Sequence, residues 1–534
     1  MTMQSFRTIP VLGLKTDTTQ NDPNLLKMIG DTTALTYDVG GVNVDYRRQR
    51  GACSKAFGFT KWSNSANAQA TKCLGLFELY DGTTRTHVMF DNGKVYTFDS
   101  ARDPQPLTDV GDSTFSQVTN NPYSIISFGG YMLFTDYGVT TPMKWTAGDA
   151  NLTKLILSGT EYKFRYLEEF QRRVIGAYSD QTNGDIEIRY TDALPSWATL
   201  SFPAANQLYK PEGDDSITGI KKLGANALYL YSEKSIARVD YYPNSTAPFG
   251  MTTMVSGYGC TNHASIVSVG NTHYMFNKDL GFCAYAGGTE FPAGGRPISS
   301  DIETDLADIN TAYYDAIMGK FMPFTQEIAW VVPLDAGQTP SHILYYNIAD
   351  GTWRKEDKPM HCLDTWLAYE AYTWEDLISE LGGTGAVWAD ATNYTWAKYV
   401  AQLHRLVYAN TDGYVYHNSS EARDGAAYDG YRIEPVMDFG SPVDRDLLLE
   451  LWFGIAYAFD FDIDVYHRSG DTIGECTGDS WASIGSVDCN SPDNAVLYTN
   501  QNARFHQIKW GTDAADERFV VNDITYKFVR QGPY

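Results

Sequence analysis

From about residue 70 onward, short runs of aromatic and β-branched residues recur along this chain, each cut off by Gly, Asn or Asp. That rhythm constrains the fold more than any single motif, because such runs fit pleated strands and such interruptions fit tight turns. His87–Phe90 and Lys94–Phe98 flank Asp91-Asn92-Gly93, a strong hairpin signal because Asn and Gly accept positive φ. Ser124–Phe128 and Tyr131–Phe134 flank Gly129-Gly130, and Ser265–Val269 and Thr272–Phe276 flank Gly270-Asn271. The same grammar joins Arg173–Tyr178 to Asp185–Tyr190, Ala227–Tyr231 to Ser235–Val239, and Arg405–Tyr408 to Tyr414–Tyr416. Further runs are Ser216–Ile220, Gly281–Tyr285, Ile328–Val332 and His342–Tyr346. The units return every ~40 to 60 residues, a spacing that suits four-stranded propeller blades. Two consecutive β-sandwiches would give a similar rhythm, and the repeat is too degenerate to align with itself.

Two windows break the pattern. Asp301–Met318 carries Ile302, Leu306, Ile309 and Tyr313 at helical spacing, and Asp364–Leu381 carries Trp366, Leu367, Trp374, Leu377 and Ile378. Both are expected to be short helices packed on sheet edges or in subunit contacts. From about Arg432 the runs lengthen: Leu447–Ala456, Phe459–Tyr466, Ala503–Trp510 and Phe519–Val529. Longer alternating strands suggest a separate sandwich or jelly-roll-like domain. The first fifty residues read as an extended arm leading to first strands, with a polar loop at Asp17–Asp22 and a basic cluster of Arg47, Arg48 and Arg50. The expected division is therefore an arm over residues 1–50, a β-propeller with helical insertions over 51–431, and a β-sandwich-like domain over 432–534. The expected fold class is all-β, a propeller plus a sandwich-like platform with few short helices.

Composition agrees. Aromatics make up 14% of the 534 residues, with 37 Tyr and 12 Trp, which a disordered chain would lack. Lys and Arg total 41 against 65 Asp and Glu, a formal charge of −24. Tight sequence-specific DNA binding needs a basic face to release counterions and is not expected; composition still allows DNA to pass without being held. The seven cysteines form no CxxC, so assembly in a reducing cytoplasm fits better than a disulfide scaffold or a zinc site. Met1–Gly13 does not read as a secretory signal, and no window of ~18 apolar residues offers a membrane-spanning helix.

Searching for chemistry gives little. HExxH, GxSxG and GxxxxGK[ST] are all missing. Gly257-Tyr258-Gly259-Cys260-Thr261-Asn262 begins like a dinucleotide loop, lacks the third glycine and lies among strands, where a turn is expected. The acid pairs Glu168-Glu169 and Asp214-Asp215 could serve a glycosidase only across a cleft and otherwise read as solvated loops. His361 and Cys362 are neighbours that a strand would point to opposite faces. No catalytic, cofactor or metal residue is assigned. One pattern has more content: Asp460, Asp462 and Asp464 alternate with Phe459, Phe461, Ile463 and Val465. On a strand the acids share one face, which reads as an ordinary solvent face, a calcium site or the wet acidic wall of a channel.

The order of features resembles a family, the tail nozzle proteins of short-tailed bacteriophages, also called packaged-DNA stabilisation proteins. Asn24–Lys27, Tyr37–Gly41, Arg47 and Arg50-Gly51 look like that family's opening arm. Asp185–Asp192 with Pro195 and Trp197 looks like its mid-propeller strand and turn. The longest likeness takes in Ile217–Ile220, Leu228–Ser232, Ser235-Ile236, Gly259-Cys260, Ser265-Ile266, Tyr274–Phe276, Gly281, Ile298-Ser299, Ile302 and Leu306. Tyr345–Asn347 and Gly351–Trp353 resemble the turn that follows, and Arg504–Lys509 and Phe519–Ile524 the closing strands. The resemblance implies a non-enzymatic virion protein made in the host cytoplasm: a propeller plus a β-rich platform, six copies around the tail axis. It implies an adaptor ring of the head–tail connector above, plug, needle or tail fibre proteins below, and double-stranded DNA passing at ejection. Asp460, Asp462 and Asp464 are then candidate channel-facing residues. Another reading is a receptor- or glycan-binding propeller of a tail or baseplate, for which Tyr and Trp supply stacking surfaces.

Overall fold

In the computed structural model, the described residues are 3–532, excepting 19–21, 47–50, 69–71, 92, 110–120, 157–158, 194–196, 198, 212, 244, 246, 369–402, 419–421, 457–459, 491–494 and 516. Among the described residues, seven sheets of three to five strands follow one another in sequence, antiparallel except where Thr108–Asp109 runs parallel to Asn151–Lys154. Their innermost strands are Cys73–Tyr80, Ser124–Phe128, Phe164–Phe170, Ile217–Leu223, Val267–Val269, Met318–Met322 and Cys362–Ala368. Each of these strands is the first of its sheet's main run; from Ser124–Phe128 onward each lies next to the first strand of the following sheet, Cys362–Ala368 lies against Cys73–Tyr80, and the Tyr123 N–H donates to the Leu74 carbonyl at 3.2 Å to join the first blade to the second. The ring is a seven-bladed β-propeller.

The cores confirm the blade arrangement, because each lies between two blades. Phe90 and Leu79 of blade 1 pack with Met132 and Phe134 of blade 2, and Tyr190 of blade 3 packs with Leu228 of blade 4. Met89 of blade 1 packs with Val407 and Trp366 of blade 7, which completes the circle. Between blades 5 and 6, buried Trp330 lies 4.5 Å from Phe282 and 5.9 Å from Trp353. Its Nε1–H donates to the Ser265 carbonyl at 3.0 Å, so the largest apolar side chain there is also satisfied as a polar one. Blade 7 contains Cys362–Ala368, Leu403–Ala409 and Val415–His417, and its outer strand is Thr60–Lys61 from the N-terminal side. Strands from two distant parts of the chain thus close the ring non-covalently.

The platform is a two-sheet sandwich. One sheet runs in the order Leu26–Gly30, Thr33–Thr36, Met3–Ile9, Val520–Gly532, Arg445–Ile455, Val496–Ala503. The other runs Gly430–Ile433, Phe505–Thr512, Asp462–Gly470, Ala482–Asp488. Leu451, Phe453, Tyr526 and Phe528 from the first meet Ile463, Val465, Ile508 and Trp510 from the second.

The structure places three segments differently from the sequence reading. Residues 3–55 supply strands to the platform and are not a free arm: Met3–Ile9 pairs with Val520–Gly532 from Met3↔Val529 to Thr8↔Ile524, and Phe6 packs on the sandwich core. Arg432, fully buried with Glu434, donates to the Thr36 carbonyl at 2.8 Å and so ties this segment in. Arg47, Arg48 and Arg50 lie outside the described residues. The first helical window keeps its apolar face, since Ile302 and Ile309 are buried and Leu306 packs beside them, but it is broken into Ser300–Ile302, Glu303–Ala307 and Thr311–Ala316. Asn310 makes the break: its side chain caps Ala312 N–H and donates to the Ala336 and Gly337 carbonyls. The second window begins as strand, because Asp364–Ala368 pairs with Leu403–Val407. Trp374, Leu377 and Ile378 lie outside the described residues.

Candidate functional site

Each strand of the second platform sheet has an apolar side that fills the sandwich and a side turned away from it. In Asp462–Gly470, Ile463 and Val465 are buried in the core while Asp462 is exposed and Asp464 half-buried. The alternation read from sequence therefore holds for Asp462 and Asp464. The strand begins at Asp462, two residues later than the third acid requires. Asp460 is exposed in the bend before it, Phe461 is partly buried against the core, and Phe459 lies outside the described residues.

Register adds acids that sequence reasoning missed. Asp462 is directly opposite Asp488 and accepts from Ser486 Oγ–H at 2.9 Å. Asp464 is opposite Gly511, just before the turn that carries Asp513 and Glu517. Burial raises the Asp464 pKa, and the nearby charges of Asp513, Glu517 and Asp462 raise it further. Like charges that close favour a hydrated corner. Lys55 lies beneath it, donating to the Ala514 carbonyl at 2.7 Å; burial lowers its pKa to about 8, against the pull of Glu517 and Asp513. The only available signal for Asp513 and Glu517 was the acid-rich run between Thr512 and Glu517, and nothing in sequence pointed to Asp488 as a cross-strand neighbour.

The propeller axis offers a different environment. A cavity of about 400 Å³ is lined by Leu76, Ile125, Lys221, His263, Gly319 and Lys320. Its volume suits a small molecule. Charges around it are paired between neighbouring blades: Lys221 with Glu168 at 3.4 Å and Lys320 with Asp364 at 2.5 Å. His263 is half-buried on the cavity wall, takes the Ile220 N–H on Nδ1 at 3.4 Å and has its pKa lowered to about 3, by desolvation first and Lys221 second. A second cavity of about 400 Å³ opens between blades 7 and 1, where Trp62, His87 and Trp366 cluster with Arg102.

The acid pairs considered for catalysis are held by cations. Glu169 pairs with Lys222 at 2.6 Å, and Asp215 pairs with a fully buried Lys210 at 2.9 Å. Lys210 also donates to Ser232 and Ser235, a satisfied structural network. Residues 257–262 form the connection between strands Phe249–Ser256 and Val267–Val269. Among the described residues, no group of three or more His, Cys, Asp or Glu is placed to hold a metal ion, and no helix is long and apolar enough to cross a membrane.

No protein-family model matches the chain, and no curated protein matches it in sequence. Solved structures similar to it include the extracellular domain of a one-component system of B. thetaiotaomicron, at 8% identity and TM-score 0.37 over 68% of this chain and 40% of that one. Virginiamycin B lyase from Staphylococcus aureus aligns at 9% identity and TM-score 0.36, over 67% of this chain and 98% of that one. The Neurospora crassa Pan2 WD40 domain aligns at 9% identity and TM-score 0.35, over 70% and 98%. The chain thus spans under half the length of the first of these. The assignment of the fold stands on the sheet order and the inter-blade cores.

Proposed function

We propose that this chain is a structural, non-enzymatic subunit of the tail of a short-tailed phage: a nozzle protein that forms a ring below the portal and adaptor, helps retain packaged DNA and lets it pass at ejection. The observation that carries this reading is the architecture, a closed propeller joined to a β-sandwich platform, which is what the family resemblance calls for. The acidic outer corner of the platform supports it further. A wall that carries Asp462, Asp464, Asp488 and Asp513 repels phosphates at short range and keeps a hydrated gap, whereas a basic wall would bind them. The axial cavity of the propeller has small-molecule dimensions, so on this reading DNA runs beside the platform and not through the propeller. The ring is a homohexamer assembled in the host cytoplasm, with an adaptor ring above it and plug, needle or fibre proteins below.

Mass photometry of the purified protein with and without a portal–adaptor complex tests this. Ring-sized additions to the complex are expected, and a chain that leaves every such complex unchanged in mass overturns it. Catalytic inactivity is checked separately: turnover in a glycan and ester screen that is lost on Glu169→Gln or Asp215→Asn would refute it.

The cavity between blades 7 and 1 favours a second reading, a glycan-binding propeller of a tail or baseplate. Half-buried Trp62 offers ring surface beside Arg102, with Trp366 buried behind it, a combination that suits sugars bearing a carboxylate. Binding on a glycan array, abolished by Trp62→Ala, would move the assignment to this reading.

A further inference from the structure

Cys73 opens the inner strand of blade 1, and Cys362 opens the inner strand of blade 7. They are 289 positions apart in sequence, yet the Cys362 Sγ–H points at Cys73 Sγ with the sulfurs 3.0 Å apart. Both thiols are buried in the core that joins the last blade to the first. The Cys73 Sγ–H in turn points at the Gly75 carbonyl 3.5 Å away, as the thiols of Cys260, Cys283, Cys476 and Cys489 point at backbone carbonyl oxygens. A disulfide needs sulfurs at about 2.0 Å on side chains already facing each other, so this pair has about 1 Å to close.

We infer that Cys73 and Cys362 form a latent disulfide site that locks the propeller ring shut when the protein meets a peroxide. One thiolate attacks the peroxide O–O bond, giving a sulfenic acid and one water. The second sulfur then displaces hydroxide from that sulfenic sulfur, forming the S–S bond and a second water. Two thiols are oxidised by two electrons and one peroxide is reduced. A cavity of about 10 Å³ is bordered by Lys72, Cys73 and His361, beside the first thiol. That is about the room one water needs, so only a very small oxidant fits. Burial raises the Cys362 pKa well above its ordinary value, which keeps this thiol protonated and the reaction slow. Thiol-rich cytoplasm keeps the pair reduced, and an oxidising medium outside the cell favours the bond.

The cross-link would join the two blades whose contact closes the circle. Among the described residues that closure is held non-covalently, by packing, by the Leu367 N–H donating to Glu78 at 2.6 Å, and by the pairing of Thr60–Lys61 with Val415–His417. A loop this long has much unfolded-state freedom to lose, so the lock should raise the melting temperature of the propeller by about 5 °C.

The test treats the full-length protein with dilute hydrogen peroxide, then denatures it in alkylating agent without reductant. Intact mass should show loss of two hydrogens, and peptide mapping should recover one linked pair, Cys73 with Cys362, reversed by dithiothreitol. Both thiols still alkylated after prolonged treatment, or a different pair linked, overturns the site. A link that forms without raising the melting temperature overturns the locking role. Because Cys73→Ser could disturb the core, Cys283→Ser serves as a second variant that must keep the link.

Discussion

Acidification should loosen both domains through buried histidines. His273, His467 and His506 lie in the interior and His263 is half-buried on the axial cavity; desolvation lowers their pKa values to about 4, 3, 4 and 3. Each is built in as a neutral ring. His273 Nε2 sits 3.0 Å from the Lys222 carbonyl, so that nitrogen carries the proton, and the Tyr231 hydroxyl occupies Nδ1. His506 Nε2 faces the carbonyls of Asp446 and Ala503, which leaves its Nδ1 to accept from His467 Nε2–H at 3.0 Å. An unfolded histidine titrates near 6.5, so the unfolded chain binds more protons below that pH and stability falls as pH falls. The loss starts near pH 6.5 and levels off once the folded ring itself titrates, near pH 4 for His273. Within that window each ring costs about 1.4 kcal/mol per pH unit, or roughly 2 kcal/mol at pH 5. Two in the propeller and two in the platform give roughly 4 kcal/mol per domain, a large fraction of the usual 5–15 kcal/mol margin. Carboxylates titrate in the same range, so the clean measurement is a difference. Urea unfolding of wild type and His273→Gln at pH 7.5 and pH 5 should show the variant less stable at pH 7.5 but with a pH-dependent loss smaller by roughly 2 kcal/mol. An unchanged pH dependence in the variant would refute the claim that this ring is held neutral.

Replacing Asp460, Asp462 and Asp464 together by lysine should change folding stability by only ~1 kcal/mol, because these side chains point away from the core; on the proposed function it should slow DNA ejection, most at low salt, and ejection at the normal rate would remove this face from the channel wall. Deleting residues 1–9 should unfold the platform while the propeller persists, seen as loss of one of two melting transitions, because the strand Met3–Ile9 lies inside the sheet. Trp330→Ala should cost about 3–5 kcal/mol in chemical denaturation, since it empties the core between blades 5 and 6 and leaves the Ser265 carbonyl without its donor.

Much of the fold was legible because hairpins are local. Gly129 and Gly130 adopt φ of 58° and 81°, the turn their sequence invites, and Phe128 pairs with Tyr131 as the flanking runs require. The apolar face at Ile302, Leu306 and Ile309 was legible too, but its continuity was not, because Asn310 bonds to Ala336 and Gly337 far along the chain. Asp364–Ala368 reads as the start of a helix on the spacing of Trp366, Leu367 and Trp374, yet its pairing with Leu403–Val407 decides the matter. A two-residue strand such as Thr60–Lys61 has no periodicity to read, and its partner lies more than 350 positions away. The acidic face shows the same division. Alternation along one strand placed Asp462 and Asp464, whereas Asp488, Asp513 and Glu517 join them only through cross-strand register.

The weaving of both chain ends into one sheet also sets a timetable for synthesis. Met3–Ile9 leaves the ribosome long before its antiparallel partner Val520–Gly532. The propeller has every strand it needs once His417 has emerged, because Thr60–Lys61 is already waiting. At usual elongation rates the remaining 532 − 417 = 115 residues take on the order of ten seconds. Throughout that interval the nascent chain carries a finished ring and an N-terminal strand paired on one edge with Thr33–Thr36 and open on the other, with Phe6 exposed, a natural client for a chaperone. A prematurely terminated chain would keep that edge permanently open, marking it for proteolysis before it could enter an assembly.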